Sequence, residues 1–127
     1  MLKSASKRAV VDLKLVLKYK WFDMIDSGVK KEEYREIKKS MVSKLFDWRD
    51  SGLSLYEFTQ KIKNDGNETS LWIYLKRNLG DVIFFRGYTN NKSTFEFGEI
   101  NIGKAKPQWS DDWQGDCFVI SIGDKIN

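Results

Sequence analysis

The chain has 127 residues, of which 41% are hydrophobic and 14% aromatic, and it carries a net charge of +4. This composition is that of a folded domain with its own core, and it excludes a disordered tail. With no histidine and one cysteine, the sequence excludes Ser-His and Cys-His catalysis, an internal disulfide and a zinc site. We expect no metal and no other cofactor.

The chain begins with a predicted strand and a predicted helix. Residues 11–18 alternate apolar and polar side chains, which predicts a half-buried strand whose odd-numbered residues, from Val11 to Leu17, face inward. Helical spacing of apolar residues over 19–27 predicts a short helix, and Gly28 is expected to end it in the left-handed conformation.

Residues 38–79 predict a helical insertion. Apolar residues of this segment recur at i, i+4 and i+7 from Met41. Ser54 and Glu57 have the spacing of a capping box that opens a second helix. A further short helix is expected to end near Gly80.

The last third of the chain predicts strands. Residues 82–86 and 117–122 are rich in β-branched and aromatic side chains. Over 94–106 the apolar phase shifts across Gly98, which indicates a β-bulge. Short strands with scattered helices predict an α+β fold built on a small, partly open β-barrel of about five to six mixed strands.

Gly28, Lys30, Glu33 and Arg35 form the pattern G-x-K-x-x-E-x-R. This pattern resembles the signature of the ASCH domain family, and residues 81–88, 102–109 and 118–123 resemble that family's later barrel strands, in order. The resemblance implies one ASCH-like domain over 1–127 with a barrel similar to that of the RNA-binding PUA domains. The segment 38–79 is then an insertion outside the resemblance.

Two functions remain open. The first is binding of RNA or another nucleic acid in a nucleotide-sized cleft lined by Lys30, Glu33 and Arg35. A basic and aromatic face would then contact the nucleic acid beyond the cleft. The residues expected to bind nucleic acid are Lys30, Arg35, Arg86, Tyr88, Lys104 and Lys106, with the loop aromatics Trp109 and Trp113 nearby.

The second is hydrolysis of a nucleoside or RNA. Some ASCH-like enzymes remove the acetyl group from acetylated cytidine with a lysine, a threonine and a glutamate. Lys30 matches that lysine, Glu33 stands at the position of the threonine, and Glu96 is a candidate for the glutamate. If the chain is an enzyme, Lys30, Glu33 and Glu96 are its expected catalytic residues. Equally open is a structural role for Lys30, Glu33 and Arg35 as ion pairs.

The expected partners are RNA, another nucleic acid or a nucleoside. A third possibility is a protein-interaction module that uses the insertion as its surface. Because no apolar run is long enough to enter a bilayer, we expect a cytoplasmic protein that does not bind membranes. The oligomeric state is not predicted.

Overall fold

A computed structural model describes residues 9–111 and 115–126 of the chain. The fold is α+β, with three α-helices and five strands in the described ranges. The strands are β1 (Val11–Leu17), β2 (Glu32–Arg35), β3 (Leu79–Arg86), β4 (Lys92–Lys104) and β5 (Asp116–Lys125), and the helices are α1 (Tyr19–Asp26), α2 (Lys39–Leu45) and α3 (Leu55–Asp65). Short 3-10 turns occupy Trp48–Ser51, Gly66–Glu68, Ser70–Tyr74 and Pro107–Trp109.

The strands form one mixed sheet in the order β1-β3-β4-β5-β2. β1 runs parallel to β3, and the other neighbouring pairs are antiparallel. The sheet is strongly curled into a half-barrel, so its two edge strands, β1 and β2, flank the open side. The predicted α+β class is confirmed, and the curled five-stranded sheet is consistent with the predicted partly open barrel.

Side-chain alternation decides how β1 meets the core. Leu13, Leu15 and Leu17 are buried as predicted, because every second side chain of a strand faces the same side. Val11 is 45% exposed, contrary to the prediction, since the pairing with β3 shifts register between Val11 and Leu13. After α1, Gly28 has φ of +84°, the left-handed conformation predicted for the residue that ends the helix.

The helical insertion packs against the sheet through aromatic rings. The ring of Phe46 lies 5.2 Å from that of Phe58 in α3 and 6.2 Å from that of Phe118 in β5, centroid to centroid. Trp72 contacts the same Phe118 ring edge-on, with the centroids 6.4 Å apart. Insertion and half-barrel therefore share one hydrophobic core.

The start of α3 agrees with the sequence. Ser54 and Glu57 form the predicted capping box, in which each side chain accepts a hydrogen bond from the other residue's backbone N–H, at 2.9 and 3.0 Å. Two free N–H groups at the helix end are thereby satisfied.

The end of the insertion differs from the prediction. The expected last helix is a 3-10 turn, Ser70–Tyr74, and β3 already begins at Leu79. Leu75 is drawn into an extended conformation by an antiparallel bridge with Phe46, and Lys76 donates its backbone N–H to Leu45 at 2.9 Å. After Tyr74, backbone hydrogen bonds to the distant segment Leu45–Phe46 therefore replace the local hydrogen bonds of a helix.

β4 is irregular at Gly98, as its shifted apolar phase predicts. Its pairing with β5 changes register between Phe97 and Ile100. A Cβ on Gly98 would lie 2.4 Å from the carbonyl oxygen of Ser121, closer than side chains approach backbone. Glycine is therefore required at position 98, where the irregular part of β4 lies close to the backbone of β5.

In the described part of the chain, the helices are too short and too polar to cross a membrane. The longest of them, α3, has 11 residues.

Candidate functional site

A cavity of about 610 Å³ lies between the two edge strands of the half-barrel. Ligand sites in proteins commonly measure about 300–1,000 Å³, so this cavity is large enough for a nucleotide-sized molecule. Its described lining residues are Lys14, Leu15, Val16, Leu17, Lys18, Trp21, Glu33, Tyr34, Arg35, Glu36, Lys38, Ser40, Met41, Lys44, Trp109, Ser110, Asp111 and Cys117.

Lys30 lies beneath the wall of this cavity, not on its surface. Its side chain is 1% exposed, and its ammonium donates to the carbonyl of Glu32 at 2.5 Å and lies 3.2 Å from Oε1 of Glu33. The rings of Tyr34 and Trp21 flank it, with centroids 4.6 and 5.6 Å from Nζ. Burial lowers the pKa of the Lys30 ammonium, and the Glu33 carboxylate opposes that shift.

Glu33 stands between two cations and lines the cavity. Its Oε1 faces Lys30, and its Oε2 accepts a hydrogen bond from Nε of Arg35 at 2.8 Å. Glu33 and Arg35 share a face of β2 because alternate residues of a strand point the same way, as predicted. The signature residues Lys30, Glu33 and Arg35 therefore come together as one ion cluster at the cavity wall.

Arg35 also spans the open side of the half-barrel. Its Nη2 donates to the carbonyl oxygen of Val16 in β1 at 2.9 Å, while its Nε holds Glu33 in β2. The guanidinium has five N–H donors, so donors remain for a ligand in the cavity that Arg35 lines.

The opposite face of β2 carries a second polar contact. The hydroxyl of Tyr34 donates to Oε1 of Glu32 at 2.7 Å, and Nζ of Lys106 lies 3.8 Å from the same oxygen. Burial, together with the bond to Glu32, raises the pKa of Tyr34 well above its usual range, so the phenol stays protonated. Lys106 also lies over the ring of Trp109, 4.8 Å from the centroid, which brings this predicted contact residue to the cavity rim.

The described cavity lining carries an excess of positive charge. Five of its residues are lysine or arginine and three are glutamate or aspartate. Lys18 and Asp111 pair at 2.7 Å, and the Lys18 ammonium lowers the pKa of the Asp111 carboxyl. Lys14 and Lys44 have no ion-pair or hydrogen-bond partner among the described residues, so their charges are available to an anionic ligand.

Arg86 and Tyr88, both predicted to contact nucleic acid, lie outside the cavity. The Arg86 guanidinium is held by both carboxylate oxygens of Asp23, at 2.8 and 3.0 Å, and stacks on Tyr19 at 4.1 Å. Tyr88 follows at the tip of the β3–β4 hairpin and is 97% exposed. Trp113 lies outside the described residues.

Lys104 and Glu96 are also not brought to the cavity. Both are exposed residues of β4, and neither lines the cavity. Lys104 pairs with Asp116 across the sheet at 3.0 Å. Glu96 lies over Gly123 of β5, on the outer surface, so it does not join Lys30 and Glu33.

Several lining residues were not singled out from the sequence. Lys14 was predictable as an outward residue of the alternating strand β1, but nothing in the sequence shows that β1 is an edge strand beside β2. Lys44 is an exposed residue of α2 that lies between buried residues, and its sequence pattern is that of an ordinary surface lysine. Trp21 and Tyr34 were expected only as helix and strand side chains. Their role as cavity walls depends on the curl of the sheet.

Within residues 9–111 and 115–126, no group of three or more cysteine, aspartate or glutamate side chains is placed to hold a metal ion. The one cysteine, Cys117, is buried in β5, and its thiol donates to the carbonyl of Gly103 at 3.5 Å. Burial raises the pKa of the Cys117 thiol to about 11, so it is not a ready nucleophile at neutral pH.

Comparison of the chain with protein-family models, with curated proteins and with the solved structures yields no match. Its function is therefore inferred from the residues of the cavity and from the resemblance of its signature.

Proposed function

We propose that the chain is an ASCH-like domain that binds RNA or another single-stranded nucleic acid, one nucleotide of which enters the cavity between β1 and β2. The observation that carries this proposal is the combination of cations and aromatic rings around one nucleotide-sized cavity. Trp21, Tyr34 and Trp109 line it together with Arg35 and four lysines. Unpaired bases stack on aromatic side chains, and phosphates bind lysine and arginine, so this lining suits a single strand.

The signature supports the proposal through its position. Arg35 and Glu33 line the cavity, and Lys30 lies directly behind them. Buried charges are costly, and a cluster of three at a cavity wall is a common mark of a functional site. We therefore assign Lys30 the role of positioning Glu33 and Arg35 for contact with the ligand.

The test is binding of a fluorescein-labelled ten-nucleotide oligouridine RNA, followed by anisotropy between 20 and 200 mM salt. Because lysine and arginine displace counterions from phosphates, we expect the logarithm of the association constant to fall linearly with the logarithm of the salt concentration. A duplex DNA of equal length serves as the control and is expected to bind more weakly. No binding at 20 mM salt would refute the proposal.

A second candidate is hydrolysis of an amide on a modified nucleoside. It is favoured by the contact between the Lys30 ammonium, whose pKa is lowered, and the cavity carboxylate Glu33 at 3.2 Å. Water would attack the acetyl carbonyl of acetylated cytidine, the C–N bond would break, and acetate and cytidine would leave. The enclosed position of Lys30 and the double ion pair of Glu33 favour binding over this chemistry.

The second candidate is tested by incubating the protein with acetylated cytidine and separating the products by chromatography. Release of cytidine that is lost in Glu33→Gln would support hydrolysis. No cytidine after prolonged incubation at high protein concentration would eliminate it and leave the binding proposal untouched.

A further inference from the structure

The cavity has two chemically different ends. Residues 14–18, the end of β1 and the residue after it, form one wall of the cavity. The bond from Arg35 to Val16 fixes the point at which β2 faces this wall. Beyond Arg35 in one direction the chain continues through Glu36 towards α2. In the other direction lie Glu33 and Tyr34, next to Trp21 of α1. Because a strand rises about 3.3 Å per residue, the two ends are about 13 Å apart.

One end is basic. Its lysines are Lys14 of β1, Lys38 at the N-cap of α2 and Lys44 within α2, and all three line the cavity. Lys14 and Lys44 are without ion-pair partners in the described part of the chain. Lys38 lies 3.9 Å from Glu36, at the outer limit of an ion pair. Flexible ammonium groups of this kind bind phosphate as point charges.

The other end is aromatic. Trp21, Tyr34 and Trp109 line it. Its polar groups are already paired, because Lys18 holds Asp111 at 2.7 Å and the Tyr34 hydroxyl donates to Glu32. What this end offers a ligand is ring surface, chiefly that of Trp109, because Trp21 is only 8% exposed and Lys30 lies 4.6 Å from the centroid of the Tyr34 ring. Such a surface suits a nucleobase.

We propose that a nucleotide lies along the cavity with its base at the aromatic end and its phosphate at the lysine end, and that Arg35 stands between them. The inference rests on the proposed function and adds a direction to it. It also names the ligand class, because a site of this polarity selects phosphorylated nucleosides over nucleosides. The nucleotide is either free in solution or part of a strand, since both present the same base and phosphate.

The experiment compares two charge-matched double variants. Lys14→Ala/Lys44→Ala removes the unpartnered lysines of the cavity. Lys63→Ala/Lys92→Ala removes two exposed lysines that do not line it. Both pairs lower the net charge equally, so any difference between them reports position and not charge. Circular dichroism and thermal melting check that every variant folds.

Three ligands are titrated against each protein by calorimetry or anisotropy: uridine, uridine 5′-monophosphate and the labelled oligouridine RNA. For the wild type we expect the monophosphate to bind about tenfold or more tightly than uridine. Lys14→Ala/Lys44→Ala should abolish that preference, and Lys63→Ala/Lys92→Ala should keep it. Trp109→Ala should weaken the binding of uridine and of its monophosphate by the same factor and leave the ratio of the two affinities unchanged.

The outcomes separate this inference from the proposed function. RNA binding that both double variants weaken equally would overturn the direction of the ligand and leave the proposed function standing. If the wild type binds neither the RNA nor the monophosphate, the inference and the proposed function are both refuted. The inference is supported if Lys14→Ala/Lys44→Ala loses affinity for the phosphorylated ligands and Lys63→Ala/Lys92→Ala does not. If that loss is seen with the RNA alone, the nucleotide belongs to a strand, and if it is seen with the monophosphate as well, the free nucleotide suffices.

Discussion

Nη2 of Arg35 lies 2.9 Å from the carbonyl oxygen of Val16, and this hydrogen bond joins the two edge strands of a sheet in which they are not neighbours. Edge strands expose unpaired backbone groups, and here a side chain satisfies one of them. The same guanidinium holds Glu33, so Arg35 sets the width of the cavity and, together with Lys30, the position of the Glu33 carboxylate.

Replacing Arg35 should therefore loosen the cavity. We expect Arg35→Lys, which keeps the charge but cannot reach both partners with a planar fork, to lower the free energy of unfolding by about 1–2 kcal/mol. Urea denaturation measures this loss, and hydrogen exchange should show faster exchange in β1 and β2. The control is Lys61→Ala, which breaks an exposed pair with Asp65 and should change stability by less than about 0.5 kcal/mol. Equal exchange in wild type and Arg35→Lys would contradict the bridging role.

Lys30 and Glu33 should be energetically coupled. Lys30→Met leaves the Glu33 carboxylate with one cation in a nearly buried position, which we expect to cost about 3–5 kcal/mol of stability. Lys30→Met/Glu33→Gln removes the charge that was left behind and should be less destabilised than the sum of the two single variants. A double-mutant cycle in urea measures the coupling. Additive losses would show that the two charges act independently.

Asp26 should make stability dependent on acid pH. Hydrogen bonds from Lys125 at 2.7 Å and from Ser93 at 2.5 Å lower the pKa of its carboxyl below the usual 3.8. The unfolded chain therefore binds the proton first, so the stabilisation is complete above about pH 4 and is lost as the pH falls through the lowered pKa.

Removal of the Asp26 carboxylate should flatten that dependence. We expect Asp26→Asn to be less stable than the wild type at pH 7 and to lose less further stability between pH 5 and pH 2, as followed by thermal melting. Asp124→Asn, at an exposed carboxylate of β5 with no partner in the described ranges, is the matched control and should keep the wild-type slope. A wild-type slope in Asp26→Asn would disprove the assignment.

Two glycines of β4 should respond differently to a methyl group. At Gly98 a Cβ would lie 2.4 Å from the carbonyl oxygen of Ser121, whereas at Gly103 it would lie 3.7 Å from the side chain of Val119. We expect Gly98→Ala to cost about 1–3 kcal/mol, because the backbone of β5 must move, and Gly103→Ala to cost little. Chemical denaturation of both variants tests this, and equal losses would show that β4 and β5 tolerate separation at the irregularity.

Local features of the fold were predictable because they depend on neighbours in sequence. The burial of Leu13, Leu15 and Leu17 in β1, the helix end at Gly28 and the capping box that starts α3 are confirmed. The extended conformation at Leu75 was missed because it depends on a bridge to Phe46, almost thirty positions earlier. Sequence periodicity carries no information about such a partner.

The candidate site was predictable to a similar degree. The signature placed Lys30, Glu33 and Arg35 within reach of one another, and alternation placed Glu33 and Arg35 on the same face. Sequence reasoning could not show that Lys30 is enclosed or that Glu96 points to the outer surface. It also missed Lys14 and Lys44, because their position beside the cavity results from the order of strands in the sheet and not from any local pattern.

The strand order also bears on how the protein forms during synthesis. β1 pairs with β3, more than sixty residues later, and β2 pairs with β5, some eighty residues later. Contacts so distant in sequence slow folding, because long loops must close before the contacts form. β1 and β2 flank the cavity, and each is synthesised well before the strand with which it pairs. A nascent chain that lacks β5 therefore has no completed cavity, whatever part of it has already folded.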